Sequence, residues 1–277
     1  MAPSSLPDLA PLAGLLVLLE LAVGTVAVSA TIDHVGRVGR GFAGTTAAIC
    51  VLVMGADLLL VAGVSDFSTL LHRPVDAGAV ATLAHASVAF TILLAADVLF
   101  AAVGTEVSRR VVAVTTVLVG LVAVICAALA VGPAVGGTAA AAVGFLSAAL
   151  LGGSALSGML LGHWYLVAPS MSFRPLRLSI YAVFAAVGVE CAVIAVSLVG
   201  AGTGRQRLLS GDQSFLFWLL VIGAGVVFTA AVNGLTLYFA RIRANQPATA
   251  MLYVLIVSVV MGLVPAHLLF LLTGVVV

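Results

Sequence analysis

Lysine is absent from this chain of 277 residues: all eleven basic side chains are arginine, and ten acidic residues leave a formal net charge of +1. Without a lysine, no P-loop amine and no Schiff base to pyridoxal phosphate or retinal can be built. The near-neutral balance leaves no basic surface to follow a phosphate backbone, which excludes nucleic acid as a partner. Charged residues of all kinds make up only 8% of the chain, too few to cover a water-soluble globule. Cysteine is scarce too. Cys50, Cys126 and Cys191 fall in separate apolar runs with no C-x-x-C, so neither a disulfide framework nor an iron–sulfur cluster is expected.

What fills the chain instead is apolar, at 63% of residues and a mean hydropathy of +1.32. The apolar residues form continuous runs, not the alternating segments of a β-barrel. A helix crossing a ~30 Å hydrocarbon core needs roughly 20 such residues. Eight spans read at about 10–31, 41–63, 77–103, 111–131, 138–162, 176–200, 213–239 and 248–275. The expected fold is therefore all-α: a polytopic integral membrane protein of eight transmembrane helices. The breaks between spans are too short to house a soluble domain.

Arginine placement predicts orientation, because positively charged loops stay in the cytoplasm. Eight of the eleven arginines (Arg37, Arg40, Arg109, Arg110, Arg174, Arg177, Arg241 and Arg243) lie in the odd-numbered loops, against Arg73, Arg205 and Arg207 on the other side. Both termini are thus expected outside the cytoplasm of a bacterial inner membrane, an origin that the arginine-for-lysine bias and high Ala, Val and Gly content also suit. The leader MAPSSLPD carries Asp8 and no basic residue, so the first span reads as an uncleaved helix, not a signal peptide.

The chain also carries an internal rhythm. Gly24, nine intervening residues and His34 match Gly153, nine intervening residues and His163; Gly55-Ala-Asp57 matches Gly188-Val-Glu190; and Arg109-Arg110 matches Arg241-x-Arg243. A duplicated four-helix unit, 1–132 and 133–277, is expected, with the same orientation for both halves. Ser154, Gly158 and Gly162 form a small-residue stripe for close helix packing. Trp164 and Tyr165 look like interfacial anchors, and with His34 and His163 they are candidates for a headgroup or quinone pocket at the cytoplasmic face.

Ionisable groups inside spans are costly, at least ~2.5–3.5 kcal/mol at mid-membrane, and so mark candidate sites. At ~1.5 Å rise per residue, His85 and His267 share a level roughly 12 Å below the outer boundary, Glu20 and Glu190 lie at roughly 15 Å and Asp57 at roughly 9 Å. Asp97 alone sits toward the opposite face. Three chemistries fit. In the first, His85 and His267 are axial ligands of a b-type haem iron. In the second, the histidines and carboxylates serve a quinone, with the chain a membrane subunit of a larger redox complex that moves electrons and protons near the outer side. In the third, Glu20, Asp57, Glu190 and Asp97 form the proton or ion pathway of a transporter of protons, metal ions or a small solute, with Asn233 and Gly223-Ala-Gly225 as a flexible element. A structural subunit without chemistry of its own is the remaining reading. No H-E-x-x-H motif is present, and no catalytic residue is assigned.

Overall fold

The computed structural model describes residues 6–63, 68, 71, 75–168, 171–200 and 202–277. Among them are eight helices long and apolar enough to cross a membrane, and no strand. They are α1 (Leu6–Gly36), α2 (Arg40–Gly63), α3 (Ala77–Val103), α4 (Glu106–Val131), α5 (Thr138–Val167), α6 (Arg174–Gly200), α7 (Leu216–Arg241) and α8 (Asn245–Thr273). All eight coincide with the runs expected from hydropathy. Several reach further into the polar breaks, because those breaks carry helix-compatible residues and good caps. The Thr105 hydroxyl accepts from the Ser108 backbone N–H at 3.2 Å and so starts α4 inside the charged segment EVSRR. Arg205 and Arg207, expected in a loop, lie on a short helix, Gly202–Ser210.

Helices α1, α5 and α8 form the interior and the others surround them: 78% of the apolar window of α1 is enclosed, against 28% for α2, α3 and α6. The outer faces present large apolar side chains such as Leu59, Ile92, Val103 and Val199, the surface a helix offers to lipid. Each helix closes its own backbone hydrogen bonds, so burial beside lipid leaves few polar groups to satisfy.

The tightest packing is between α1 and α5. A Cβ at Gly24 would stand 1.7 Å from the Ala149 carbonyl oxygen, and one at Gly153 would stand 2.1 Å from the Gly24 carbonyl carbon. The two backbones touch there, which only glycine permits. The Ser157 hydroxyl donates to the Thr25 carbonyl at 3.0 Å and ties the same crossing. Around this pair, α1 packs on α2, α4 and α8, while α5 packs on α6, α8 and α4.

Helix α7 begins as a π-helix over Leu216–Phe228, which includes Gly223-Ala-Gly225. The wider turn leaves the Ala224 carbonyl to accept from the Thr229 hydroxyl at 3.1 Å and the Ser258 hydroxyl of α8 at 2.7 Å. Gly225 meets Gly262 there, where an added Cβ on Gly262 would fall 2.4 Å from the Gly225 Cα. Asn233, further along α7, is buried and donates to the Ile180 carbonyl of α6 at 2.9 Å. The segment proposed as a flexible element is thus locked to its neighbours.

Candidate functional site

Two polar regions lie within the helices, one closed and one open. The closed one is built by α1, α5, α6 and α8. Glu20 Oε1 lies 2.8 Å from His267 Nε2, with both residues almost fully buried. His267 Nδ1 lies 2.9 Å from the Leu263 carbonyl oxygen one turn earlier on α8. A carbonyl can only accept, so Nδ1 carries the hydrogen, and Nε2 faces the carboxyl group. One further proton completes the Glu20–His267 bond, and the pair is then neutral overall, whether written as acid and imidazole or as carboxylate and imidazolium. Phe145 of α5 stacks on the imidazole, with centroids 5.6 Å apart and planes at 20°. The neighbouring Glu190 carboxylate accepts from the Ser147 hydroxyl. Glu190 and His267 border a cavity of about 20 Å³, enough for a water.

The open region is a cavity of about 750 Å³ between α1, α2, α3 and α4, at the end of the bundle that carries the arginine-rich connections. Its mouth holds His34, Arg37, Arg40 and Arg110, and its walls deeper in are largely Ala and Val. Asp33 organises that mouth: one carboxylate oxygen accepts from the Gly39 backbone N–H at 2.8 Å, and the other accepts from Arg109 of α4 at 2.6 Å. Arg109 also reaches Glu106 at 3.0 Å, and Arg110 donates to Glu106 at 2.9 Å. Two walls carry unmatched polar groups: the buried Thr46 hydroxyl and the Arg109 Nε have no hydrogen-bond partner among the described residues. Asp97, buried on α3, borders the same space.

The structure therefore joins some of the expected residues and separates others. Glu20, Glu190 and His267 come together, and Asp97 and His34 share the open cavity. Asp57 stands apart from both: it is fully buried on α2, and neither carboxylate oxygen has a hydrogen-bond partner among the described residues. His163 is exposed, with its Nδ1 3.1 Å from the Tyr253 hydroxyl. Trp164 packs over Gly41 and Phe42 of α2, and the buried Tyr165 hydroxyl donates to the Ser172 carbonyl and accepts from the Leu176 backbone N–H, so Tyr165 ties the end of α5 to the start of α6.

The expected pairing of His85 with His267 is corrected. His85 lies on the exposed face of α3, a helix whose neighbours are α2 and α4, and both ring nitrogens of His267 are already engaged. Shared depth did not mean shared azimuth. The two histidines do not fit a haem iron between them, and among the described residues no three His, Cys, Asp or Glu side chains converge on a metal site.

Sequence reasoning reads Arg37, Arg40, Arg109 and Arg110 as orientation signals and passes over Asp33 and Thr46. A usable signal was present in Glu106-x-x-Arg109-Arg110, whose spacing puts the acid beside both arginines on one helix face. In comparisons with known proteins, no family model matches the chain, and no curated protein or solved structure is detectably similar to it.

Proposed function

We propose that this chain is a membrane transporter of a small solute, with the cavity between α1 and α4 as its binding site and the enclosed Glu20–His267–Glu190 cluster as its proton-holding element. The observation that carries this reading is the cavity itself. It is of ligand size, opens at one end of the bundle, and reaches a buried carboxylate, Asp97, within a membrane-spanning helix. The Glu20–His267 pair supplies what proton coupling needs: a site that holds one proton in a bond between two groups able to release it.

Two further readings accompany it. The arginine distribution supports a cytoplasmic location for the cavity mouth and an outer location for the opposite end, in a bacterial inner membrane. The meeting of Gly24 with Gly153 supports a duplicated four-helix unit, because the residues matched by the repeat are the ones in contact at the centre. A pseudo-twofold axis along the membrane normal would also relate the α1–α8 packing to the α5–α4 packing.

Cysteine accessibility tests the transport reading. With Cys50, Cys126 and Cys191 replaced by alanine, Ala47→Cys places one thiol on the cavity wall. Alternating access predicts that a membrane-impermeant thiol reagent labels it in both right-side-out and inverted vesicles. Labelling confined to one orientation refutes transport.

A further inference from the structure

The proposed cavity has a chemical character that narrows its ligand, and this inference rests on the cavity being the binding site named above. At the mouth, Asp33 and Glu106 are both committed to Arg109 and Arg110. Among the described residues neither Arg37 nor Arg40 takes part in an ion pair, so two cations are in surplus there. Arg40 and Ala43, in the first turn of α2, border the same space. Inside, the Arg109 Nε–H is a donor with no acceptor, and the Thr46 hydroxyl is only 2% exposed and unpartnered. An unmatched buried hydroxyl is destabilising, so its presence on a cavity wall marks a place where something else completes the bond.

The remaining walls say what accompanies the anion. Val26, Val117 and Leu118 line the inner part, about 12 Å from the arginines at 1.5 Å per residue along α4. Val114 and Leu118 border the cavity and are also 60% and 58% exposed on the lipid-facing side of α4. The space is thus walled by exposed apolar side chains as well as bordered by the polar end. A wholly polar solute would leave those apolar walls wet, while a wholly apolar one would leave two arginines, Thr46 and Arg109 Nε unanswered.

We propose that the cavity binds an amphipathic organic anion, its oxyanion held between Arg37, Arg40 and Arg109 and its apolar body lying against Val26, Val117 and Leu118. Thr46 and Asp97 lie roughly 9 Å in, about six residues along α2 and from the end of α3, and meet a polar substituent part-way along that body. The same chemistry is available from a free carboxylate or phosphate amphiphile and from the headgroup of an anionic lipid.

Quenching of Trp164 tests this, because its ring rests on Gly41 beside Arg40. In a Trp218→Phe background Trp164 is the sole tryptophan, and the protein is placed in nanodiscs of phosphatidylcholine. The probe is α-bromodecanoate, compared with the corresponding bromo-alcohol. Saturable quenching by the acid is expected, with Kd raised roughly tenfold or more for the alcohol and in Arg37→Gln/Arg40→Gln. Arg37→Lys/Arg40→Lys, which keeps the charge, stays close to the starting affinity and controls for folding. Displacement of the probe by added phosphatidylglycerol assigns the oxyanion to a lipid headgroup; failure of that lipid to compete assigns it to a free amphiphile. Equal affinity for acid and alcohol, or unchanged affinity in the glutamine double variant, overturns the proposal. Saturable binding with one-sided thiol labelling would retain this site and overturn transport alone.

Discussion

Glu20→Gln separates two descriptions of the buried pair. Glu20 and His267 sit 2.8 Å apart within the bundle, and His267 Nδ1 is held by the Leu263 carbonyl. If the shared proton resides on Glu20, the bond is a carboxylic acid donating to a neutral imidazole, the form favoured where no water screens charge. Glutamine then substitutes well, since its amide N–H donates to the same Nε2, and the loss in stability is less than about 1 kcal/mol. Glu20→Leu leaves Nε2 unpaired and costs about 1–3 kcal/mol. His267→Ala strands the carboxyl group and removes the ring stacked on Phe145, for about 3 kcal/mol or more. Thermal unfolding in detergent, followed by size-exclusion chromatography of the heated samples, ranks the three variants. Infrared difference spectra between wild type and Glu20→Gln should show loss of a protonated-carboxyl C=O band. A cost of about 3–5 kcal/mol for Glu20→Gln, the range for a buried charge stripped of its partner, would refute the neutral assignment and make the pair carboxylate and imidazolium.

Two structural expectations accompany it. Gly153→Val forces α1 and α5 apart at a place where even a Cβ would fall 2.1 Å from the Gly24 backbone, and overpacking of about 1–3 kcal/mol plus loss of the Ser157–Thr25 bond should sharply lower the yield of monodisperse protein; wild-type yield and melting would contradict the crossing. Tyr165→Phe removes the hydroxyl that bridges Ser172 and Leu176 and should lower stability by about 1 kcal/mol in the same melting assay, with cavity binding unchanged.

The spans were legible because a membrane leaves a one-dimensional signal: a run of apolar residues of the right length is enough, and α3 lies at 77–103 as the hydropathy alone indicates. Depth was legible for the same reason, and Glu20 and His267 do meet. Azimuth was not. Eight helices that are apolar on every side carry little record of which face looks inward, so His85 could not be told from a buried histidine until Ile92 and Leu99, spaced along the same helix face, were seen to be exposed. The open cavity was hidden for a different reason. Its residues lie at helix ends, where Arg37, Arg40, Arg109 and Arg110 already have a topological explanation, and only the neighbouring walls give them a second role.

The contact of Gly24 with Gly153 also sets the mechanics of the bundle. Two backbones in contact, with no side chains between them, leave no rotamer at that point to resist a change of crossing angle, but sliding is opposed one turn away, where Leu21 already packs on Gly152. The crossing is a fulcrum. At 1.5 Å per residue, α1 extends about 27 Å from it toward Leu6 and about 18 Å toward Gly36, so a tilt of about 10° moves the tips by roughly 5 Å and 3 Å in opposite directions. A single tilt about this contact therefore displaces the arginine end and the opposite end of α1 together, in opposite directions.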